Sequence, residues 1–306
     1  MKTWNDIGHK SAMGVGTWAW GDKSVWGYGK EYTESDVRSA FDTSVAAGMD
    51  FFDTAEIYGS GTSETLLGQF IKSASHPVFI ATKFMPFPWR LSRKELTDAL
   101  KRSLGRLGVA CVDLYQIHWP LHLRSLETWM DTMADAVEQG LTKTVGVSNY
   151  SSDQMKRAHE VLVRRNISLV SNQVEYSLLH RKPERNGLLK TCNELGIKLI
   201  AYSPLAMGVL ADKYSANRKM TGYRGIRYNR LLPRIQILNG LLREIGQSHG
   251  GKSPSQVALN WTICKGTFPI PGAKNAQQAV ENAGALGWSL TREEVIAVEA
   301  AAEKVR

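Results

Sequence analysis

Four residues that can move or orient a proton follow apolar stretches of this sequence. Asp53 and Tyr58 follow one such stretch, Lys83 ends the next, and His118 ends the one after that. A tyrosine, with a pKa near 10, is a weak acid at neutral pH unless a nearby cation stabilises its anion. The set predicts that Tyr58 protonates a carbonyl oxygen as a hydride arrives. Lys83 would lower the tyrosine pKa, Asp53 would hold the lysine charged, and His118 would orient the oxygen.

Each of these residues also has a simpler interpretation. A lone aspartate after a strand is often a helix cap, and a lone histidine before Trp119 is often a packing residue. Lys83 is the least ordinary, because a lysine that continues an apolar strand needs a partner. Glu56 is either a rim charge or a first-turn acid, and we assign it no chemistry. Neither a nucleophile elbow nor a set of residues with metal-ligand spacing competes for the site, so no metal is expected.

The elements that must position these side chains are short and apolar. Eight continuous apolar stretches are typical of strands buried in a parallel sheet. We predict strands at Ala12–Thr17, Met49–Asp53, Val78–Thr82, Val112–Ile117, Thr144–Val147, Leu169–Gln173, Lys198–Ala201 and Phe268–Ile270.

Helix start signals occupy the intervals between the strands. Capping patterns and proline placement predict helices Arg93–Leu104 (capped by Ser92 and Glu95, followed by Gly105), Asp153–Arg164, Ser255–Cys264 and a last helix starting at Thr291. Strands that alternate with helices predict a (β/α)8 TIM barrel, an α/β fold in which residues 1–306 form one domain. An open, doubly wound sheet is the alternative, but MGVGTWAWG lacks the third glycine of its phosphate fingerprint. In a barrel the four residues would meet at the carboxyl ends of the strands.

Composition limits the class of protein. The 306 residues are 43% hydrophobic, which supports a large core. The three cysteines show no ligand spacing and indicate reduced thiols. No signal peptide or membrane-spanning stretch is visible, so we expect a cytoplasmic protein without a membrane partner, or a plastid stromal one if a transit peptide was removed.

The net charge of +9 is concentrated in one segment. No acidic residue lies between Asp212 and Glu244, whereas eight basic residues do. The loop Lys213–Leu232 is either a solvated basic surface or a cover over a phosphorylated cofactor, to which Arg224 or Arg227 would contribute charge. No nucleic-acid motif accompanies it, so no nucleic-acid partner is expected.

Ordered motifs along the chain resemble a known family. DFFDTAEIYGSGTSETLLG, ATKF, VDLYQIHWP, VGVSNYS, NQVEYS, AYSPLAMGVL and IPGAKNAQQAVENAGALGWSLT are similar to successive signatures of the aldo-keto reductase superfamily. The matches run from Gly14 to Thr291. The tryptophan-rich start and the final motif resemble the plant and cyanobacterial branch that includes pyridoxal-reductase-like enzymes.

The resemblance implies a barrel that reduces aldehydes or ketones with NADPH, in which Asp53, Tyr58, Lys83 and His118 match the catalytic tetrad. It implies cofactor contacts from Gly16, Thr17, Trp18, Ser148, Asn149, Gln173, Tyr202, Ser203, Leu205, Gly208, Gly272, Lys274, Gln278 and Asn282. Tyr202 would stack on the nicotinamide, and Lys274 would bind the 2′-phosphate at a helix opened by Gly272. Gln278 stands where many relatives have arginine, so use of NADH stays an alternative. A short segment before Gly14 implies a reduced hairpin under the barrel.

Loop aromatics predict the substrate pocket. Trp20, Trp89 and Trp119 would line an apolar slot for an aromatic or small carbonyl compound, although loop tryptophans are often packing anchors. A cofactor-binding regulatory protein resembling potassium-channel β-subunits is the alternative function, and another barrel enzyme such as an isomerase is a third. We expect a monomer or a weak homo-oligomer. The physiological substrate and the direction of the reaction are not determined by the sequence.

Overall fold

The computed structural model describes residues 3–121, 123–215 and 217–305, and within them the chain forms an eight-stranded parallel barrel. Each strand pairs with the next one in the chain. The strands are β1 (Val15–Gly16), β2 (Phe51–Asp53), β3 (Phe79–Phe84), β4 (Val112–Ile117), β5 (Thr142–Ser148), β6 (Leu169–Glu175), β7 (Lys198–Tyr202) and β8 (Phe268–Ile270).

Helices connect the strands and surround the sheet. They are α1 (Glu34–Ala46), α2 (Thr62–Ile71), α3 (Arg93–Leu107), α4 (Leu126–Glu138), α5 (Ser152–Val163), α6 (Lys182–Arg185), α7 (Leu188–Leu195), α8 (Gly222–Tyr228), α9 (Leu232–Ser248), α10 (Pro254–Cys264), α11 (Ala276–Ala283) and α12 (Arg292–Glu303). The predicted (β/α)8 fold is confirmed. None of the helices in the described residues is long and apolar enough to cross a membrane.

The barrel closes between its first and last strands through glycine. The amide of Gly14 donates to Pro269 O, and that of Gly16 donates to Pro271 O, each at 3.0 Å. A Cβ atom on Gly16 would lie 2.9 Å from Ile270 O, closer than a side chain can approach. Gly16, expected in the cofactor slot, therefore also has a structural role, because it lets β1 approach β8.

Several element boundaries differ from the predicted ones. β1 is shorter than Ala12–Thr17, and β3 continues to Phe84, so Lys83 lies inside that strand. Helix α3 passes through Gly105 and ends at Leu107, since Gly108, with φ 68°, takes the left-handed capping conformation. The prediction that the helix ends before Gly105 was therefore wrong.

Two further corrections concern the loops near the cofactor region. The basic segment predicted as a loop contains helix α8 and a 3-10 turn, Asn229–Leu231. Helix α11 begins at Ala276 after an Asn275 cap, so Gly272 precedes the helix and does not open it. The side chain of Asn275 accepts from the backbone amide of Gln278, which fixes the start of the helix there.

The barrel interior is apolar at the amino ends of the strands and polar at the carboxyl ends. Trp4, from a 3-10 helix, packs against Phe51 and Phe268, and Phe51 stacks on Phe79 at 4.7 Å. Among residues 3–14 no strand forms, which agrees with the reduced hairpin, and Trp4 covers the barrel bottom instead. The polar side chains gather at the opposite end, which we call the mouth.

Candidate active site

Lys83 is wholly buried at the mouth, and its ammonium group has three partners. It forms an ion pair with Asp53, donates to Thr54 O at 2.8 Å, and lies 3.3 Å from the hydroxyl of Tyr58. An ammonium group has three N–H donors, so each has an acceptor. Burial acts to lower the pKa of Lys83, but Asp53 and Tyr58 outweigh it and the pKa is raised. The lysine is therefore charged.

Tyr58 stands in a short turn between β2 and α2. The backbone is left-handed at Gly59, Ser60 and Gly61, with φ 54°, 55° and 92°. This turn brings the phenol back over Lys83, whose ammonium lies 4.8 Å from the ring centroid. Burial raises the pKa of Tyr58, and Lys83 only partly opposes it. The predicted effect of Lys83 on this pKa is therefore present, but burial outweighs it, and the phenol is protonated at neutral pH.

His118 follows β4 and faces Tyr58, with ring centroids 5.6 Å apart and planes at 81°. Burial, followed by the charge of Lys83, holds its pKa well below the usual value. A neutral imidazole has one N–H and one acceptor nitrogen. In the described part of the chain its buried Nδ1 finds no hydrogen-bond partner, so this nitrogen is available for a hydrogen bond at the mouth.

Asp53 is held by two amides in addition to Lys83. The Nε2 groups of Gln116 and Gln173 donate to its Oδ2 at 3.1 and 2.8 Å, and Gln173 also donates to Gln116 Oε1 at 3.4 Å. Gln116 was missed by the sequence prediction. The signal lay in strand alternation, because Gln116 in β4 is two residues before His118, and side chains two residues apart in extended backbone point the same way.

Ser148, Asn149 and Tyr202 form a second polar group beside His118. Ser148 Oγ donates to Gln173 O at 2.8 Å, Asn149 donates to His118 O at 3.2 Å, and Tyr202 donates to Asn149 Oδ1 at 3.0 Å. Asn149 has φ 62°, an unusual value that the three hydrogen bonds of its side chain stabilise. These residues place hydroxyl and amide groups next to the proton-transfer residues, and such groups can bind a carboxamide.

The turn after β7 contains a run of left-handed residues. Ser203, Ala206 and Met207 have φ of 51°, 48° and 57°, and Gly208 has φ 93°. Leu205, with φ −96°, lies between Ser203 and Ala206. Within this turn the amides of Ala206 and Gly208 donate to Ser203 O and Leu205 O at 2.8 and 2.9 Å. The predicted cofactor contacts Ser203, Leu205 and Gly208 thus lie in one tight turn after β7.

A cationic cluster lies farther along the rim, around Trp26. Lys274 Nζ is 4.9 Å and the Arg224 guanidinium carbon 5.3 Å from the Trp26 ring. Burial, with a smaller contribution from Arg224, lowers the pKa of Lys274. Arg227 instead pairs with Glu175 at 2.6 Å. Arg224 is thus the basic-segment arginine beside Lys274.

Two of the predicted cofactor contacts, Gln278 and Asn282, lie in α11. Gln278 accepts from the Lys274 backbone amide at 2.9 Å and is half-buried. Asn282 is buried and donates to Gly272 O at 3.2 Å. In this conformation the Asn282 side chain supports the loop before α11, and its contact with the cofactor stays a prediction.

Tryptophans divide between the mouth and the core. Trp18 is 6.3 Å from the Tyr58 ring, and the exposed Trp89 and Trp119 stand on loops after β3 and β4. Trp20 is wholly buried and donates to Ala273 O at 2.8 Å, so its assignment to the substrate pocket was wrong. Thr17 is also buried and bonded to Asp53 O and Ser63, and its side chain cannot contact a cofactor there.

Glu56 anchors the loop that carries Trp89. It accepts from Arg90 at 2.5 and 3.2 Å and from the Met85 amide at 2.8 Å. Arg90 lies over Phe87, which stacks on Trp89 at 4.6 Å. Glu56 is therefore neither a free rim charge nor a helix-start acid.

Comparison with known proteins decides the family. The sequence profile of the Aldo/keto reductase family matches residues 12–303. The chain belongs to this family. No group of residues suited to hold a metal ion occurs in the described parts of this aldo/keto reductase.

Relatives of this aldo/keto reductase cover nearly its whole length. The chloroplastic pyridoxal reductase of Arabidopsis thaliana is 41% identical, over 96% of this chain and 84% of that protein. The thermostable aldo-keto reductase Tm1743, solved with the inhibitor epalrestat, superposes with a TM-score of 0.78 at 30% identity, covering 98% of both chains. An aldo/keto reductase from Klebsiella pneumoniae, solved with NADP and acetate, gives a TM-score of 0.73 at 25% identity, covering 95% of this chain and 90% of that one.

Proposed function

We propose that this protein reduces aldehydes or ketones to alcohols with NADPH, and that Tyr58 donates the proton. One observation carries the proposal: the Tyr58 hydroxyl lies 3.3 Å from a buried ammonium that Asp53 keeps charged. Tyr58 can therefore supply a proton, and the ammonium of Lys83 stabilises the phenolate that remains.

Proton donation follows from the charge state of the pair. Tyr58 is protonated at neutral pH, because burial raises its pKa. When it gives its proton to the carbonyl oxygen, the phenolate forms next to Lys83, which is already charged and fixed by three acceptors. Solvent then returns a proton to the phenolate.

His118 acts on the same oxygen as a neutral group. Its lowered pKa keeps it uncharged, so it orients the oxygen through a hydrogen bond and does not compete with Tyr58 as the acid. Its ring centroid is 5.6 Å from that of Tyr58, so the two side chains lie in the same region of the mouth.

The cofactor would be held along the rim from β5 to α11. Ser148, Asn149 and Gln173 would bind the carboxamide, Tyr202 would lie against the ring, and the left-handed turn Ser203–Gly208 would cradle the pyrophosphate. When bound, the nicotinamide supplies the hydride for the carbonyl carbon.

A preference for NADPH is supported by the cluster around Trp26. Lys274 and Arg224 lie over the same ring, and Glu31 forms an ion pair with Lys274 at 3.8 Å. A 2′-phosphate would relieve the repulsion between two cations. The Klebsiella relative, whose structure contains NADP, supports this assignment.

Aromatic or small aldehydes are the proposed substrates. The exposed Trp89 and Trp119 flank the mouth and can contact a planar group. The Arabidopsis relative is a pyridoxal reductase, which supports pyridoxal as one member of the test panel. The chloroplastic name of that relative supports the plastid alternative, whereas cytoplasmic location and a monomeric or weakly oligomeric state stay predictions.

Turnover and binding measured together test the proposal. NADPH binding is followed by fluorescence, and turnover is measured with a panel of aldehydes for wild type and Tyr58→Phe. We expect Tyr58→Phe to bind NADPH normally and to lose about a hundred- to ten-thousand-fold in kcat.

Two outcomes would contradict the proposal. Tight NADPH binding without turnover of any aldehyde would favour the regulatory alternative. Near-wild-type kcat in Tyr58→Phe would remove this residue as the acid. Tyr176→Phe is the matched control, because Tyr176 is buried and its hydroxyl donates to Glu184 Oε1 at 2.7 Å, outside the proposed site.

A further inference from the structure

We infer that Gln116 is a positioning residue for the reaction: it fixes the Asp53 carboxylate and links it to Gln173. The inference rests on the proposed function. Gln116 has no direct contact with Tyr58, and it acts on the position of Lys83 through Asp53.

Gln116 is wholly buried at the boundary between the apolar and polar layers of the barrel. Its strand neighbour two residues earlier, Leu114, belongs to the apolar layer. Burying an amide is unfavourable unless its donor and acceptor are both used. Here Nε2 donates to Asp53 Oδ2 at 3.1 Å and Oε1 accepts from Gln173 at 3.4 Å.

The contacts divide the Asp53 carboxylate into two sides. Oδ1 faces Lys83, whereas Oδ2 receives the amide groups of Gln116 and Gln173. A carboxylate held at both oxygens cannot rotate away from the ammonium. The position of Lys83 beneath Tyr58 thus depends on the glutamines.

Packing limits Gln116 to this arrangement. On the adjacent strand, a Cβ atom on Gly146 would lie 3.2 Å from Gln116 Cγ and 2.3 Å from Ser171 Oγ. The missing side chain at Gly146 leaves room for the glutamine to reach Asp53. Because Gln173 also belongs to the proposed carboxamide site, the same bonds join that site to the proton donor.

Gln116→Met tests the inference, since methionine has similar length but neither donor nor acceptor. We expect kcat to fall about tenfold, the loss from one charge-assisted hydrogen bond of about 1.4 kcal/mol. KM for the aldehyde should change less than kcat, because Gln116 does not reach the mouth surface.

A second readout does not depend on turnover. Nuclear magnetic resonance of lysine labelled at Cε, assigned with Lys83→Met, follows the titration of Lys83 in protein without cofactor. Asp53 raises the pKa of Lys83, so a less well placed carboxylate should move this titration to lower pH in Gln116→Met.

Gln116→Glu provides a conditional rescue. Two adjacent carboxyl groups share one proton more readily as pH falls, and a protonated carboxyl can again donate to Asp53. We expect its kcat relative to wild type to rise as the pH falls from about 8 to about 6, whereas the relative kcat of Gln116→Met stays constant.

Asn172→Leu is the matched control. Asn172 is another wholly buried strand amide, but it donates to Tyr150 O outside the mouth. We expect a lower Tm with unchanged kcat and unchanged Lys83 titration. Wild-type kcat and Lys83 titration in Gln116→Met would overturn the inference, as would equal effects in Asn172→Leu. Absence of turnover in the wild type would instead refute the proposed function, and the lysine titration would still test Gln116.

Discussion

Lys83 of β3 forms an ion pair with Asp53 of β2, and the two side chains expose 0% and 2% of their surface. A surface ion pair contributes little to stability, because water competes for both charges. This pair has no such competition. Its value lies in holding a charge where water cannot solvate it.

Replacing Asp53 with asparagine should destabilise the fold. The change keeps the shape of the side chain but leaves the Lys83 ammonium buried without a counter-charge. We expect the free energy of unfolding to fall by roughly 3–5 kcal/mol, measured by urea denaturation. Asp98→Asn is the control, because its partner Lys94 is 80% exposed, and its effect should be much smaller. Equal losses in the two variants would contradict the expected role of burial.

The two directions of the reaction should respond oppositely to pH. Burial raises the pKa of Tyr58, so its acid form persists through neutral pH and is lost only as pH rises through the raised value. Carbonyl reduction should therefore be level at neutral pH and fall in alkali. Alcohol oxidation requires the phenolate and should rise with pH, by up to about tenfold per unit.

The same pH profiles separate Tyr58 from His118. His118 has a pKa well below its usual value, so neither profile should bend near the ordinary histidine pKa of about 6.5. In Lys83→Met the rising limb of oxidation should move to higher pH, because Lys83 acts to lower the pKa of Tyr58. An oxidation rate independent of pH would contradict the assignment of Tyr58 as the base in that direction.

Arg90→Met should weaken substrate binding more than cofactor binding. Arg90 joins Glu56 to the loop of Phe87 and Trp89, and its loss releases that aromatic wall. We expect KM for aromatic aldehydes to rise about three- to tenfold, or about 0.7–1.4 kcal/mol, with NADPH affinity unchanged. Arg93→Met, which removes a pair with Asp135, should leave KM unchanged, and a similar rise there would exclude a specific loop effect.

Cofactor discrimination should depend on Lys274 and Arg224. Substituting either with methionine removes a cation beside Trp26, so we expect affinity for NADPH to fall roughly tenfold while affinity for NADH stays constant. Arg227→Met is the matched control on the same helix, because Glu175 already binds that arginine. Fluorescence titration with each cofactor checks the result. Equal losses for NADPH and NADH would show that neither residue reads the 2′-phosphate.

Local sequence patterns predicted most of the elements. Apolar stretches gave β4 and β8 with their observed bounds, and the capping pairs at Ser92 and Thr291 both form. Boundaries failed where tertiary contacts extended a strand, as at Lys83, or where a later glycine provided a better helix end, as at Gly108. Where an element ends depends on hydrogen bonds to residues distant in the chain, and a local sequence pattern does not contain that information.

The sequence by itself determined the alternation of strands and helices, and hence the end of the barrel at which Asp53, Tyr58, Lys83 and His118 would meet. Only the tertiary structure decided which groups share contacts and charge. It buried Trp20, turned Asn282 inward and brought Gln116 to Asp53. It also set burial, which raises the pKa of Tyr58, against the opposing effect of Lys83. The physical reason is that desolvation and long-range hydrogen bonds depend on residues that are far apart in the chain, so they exist only once the barrel has closed.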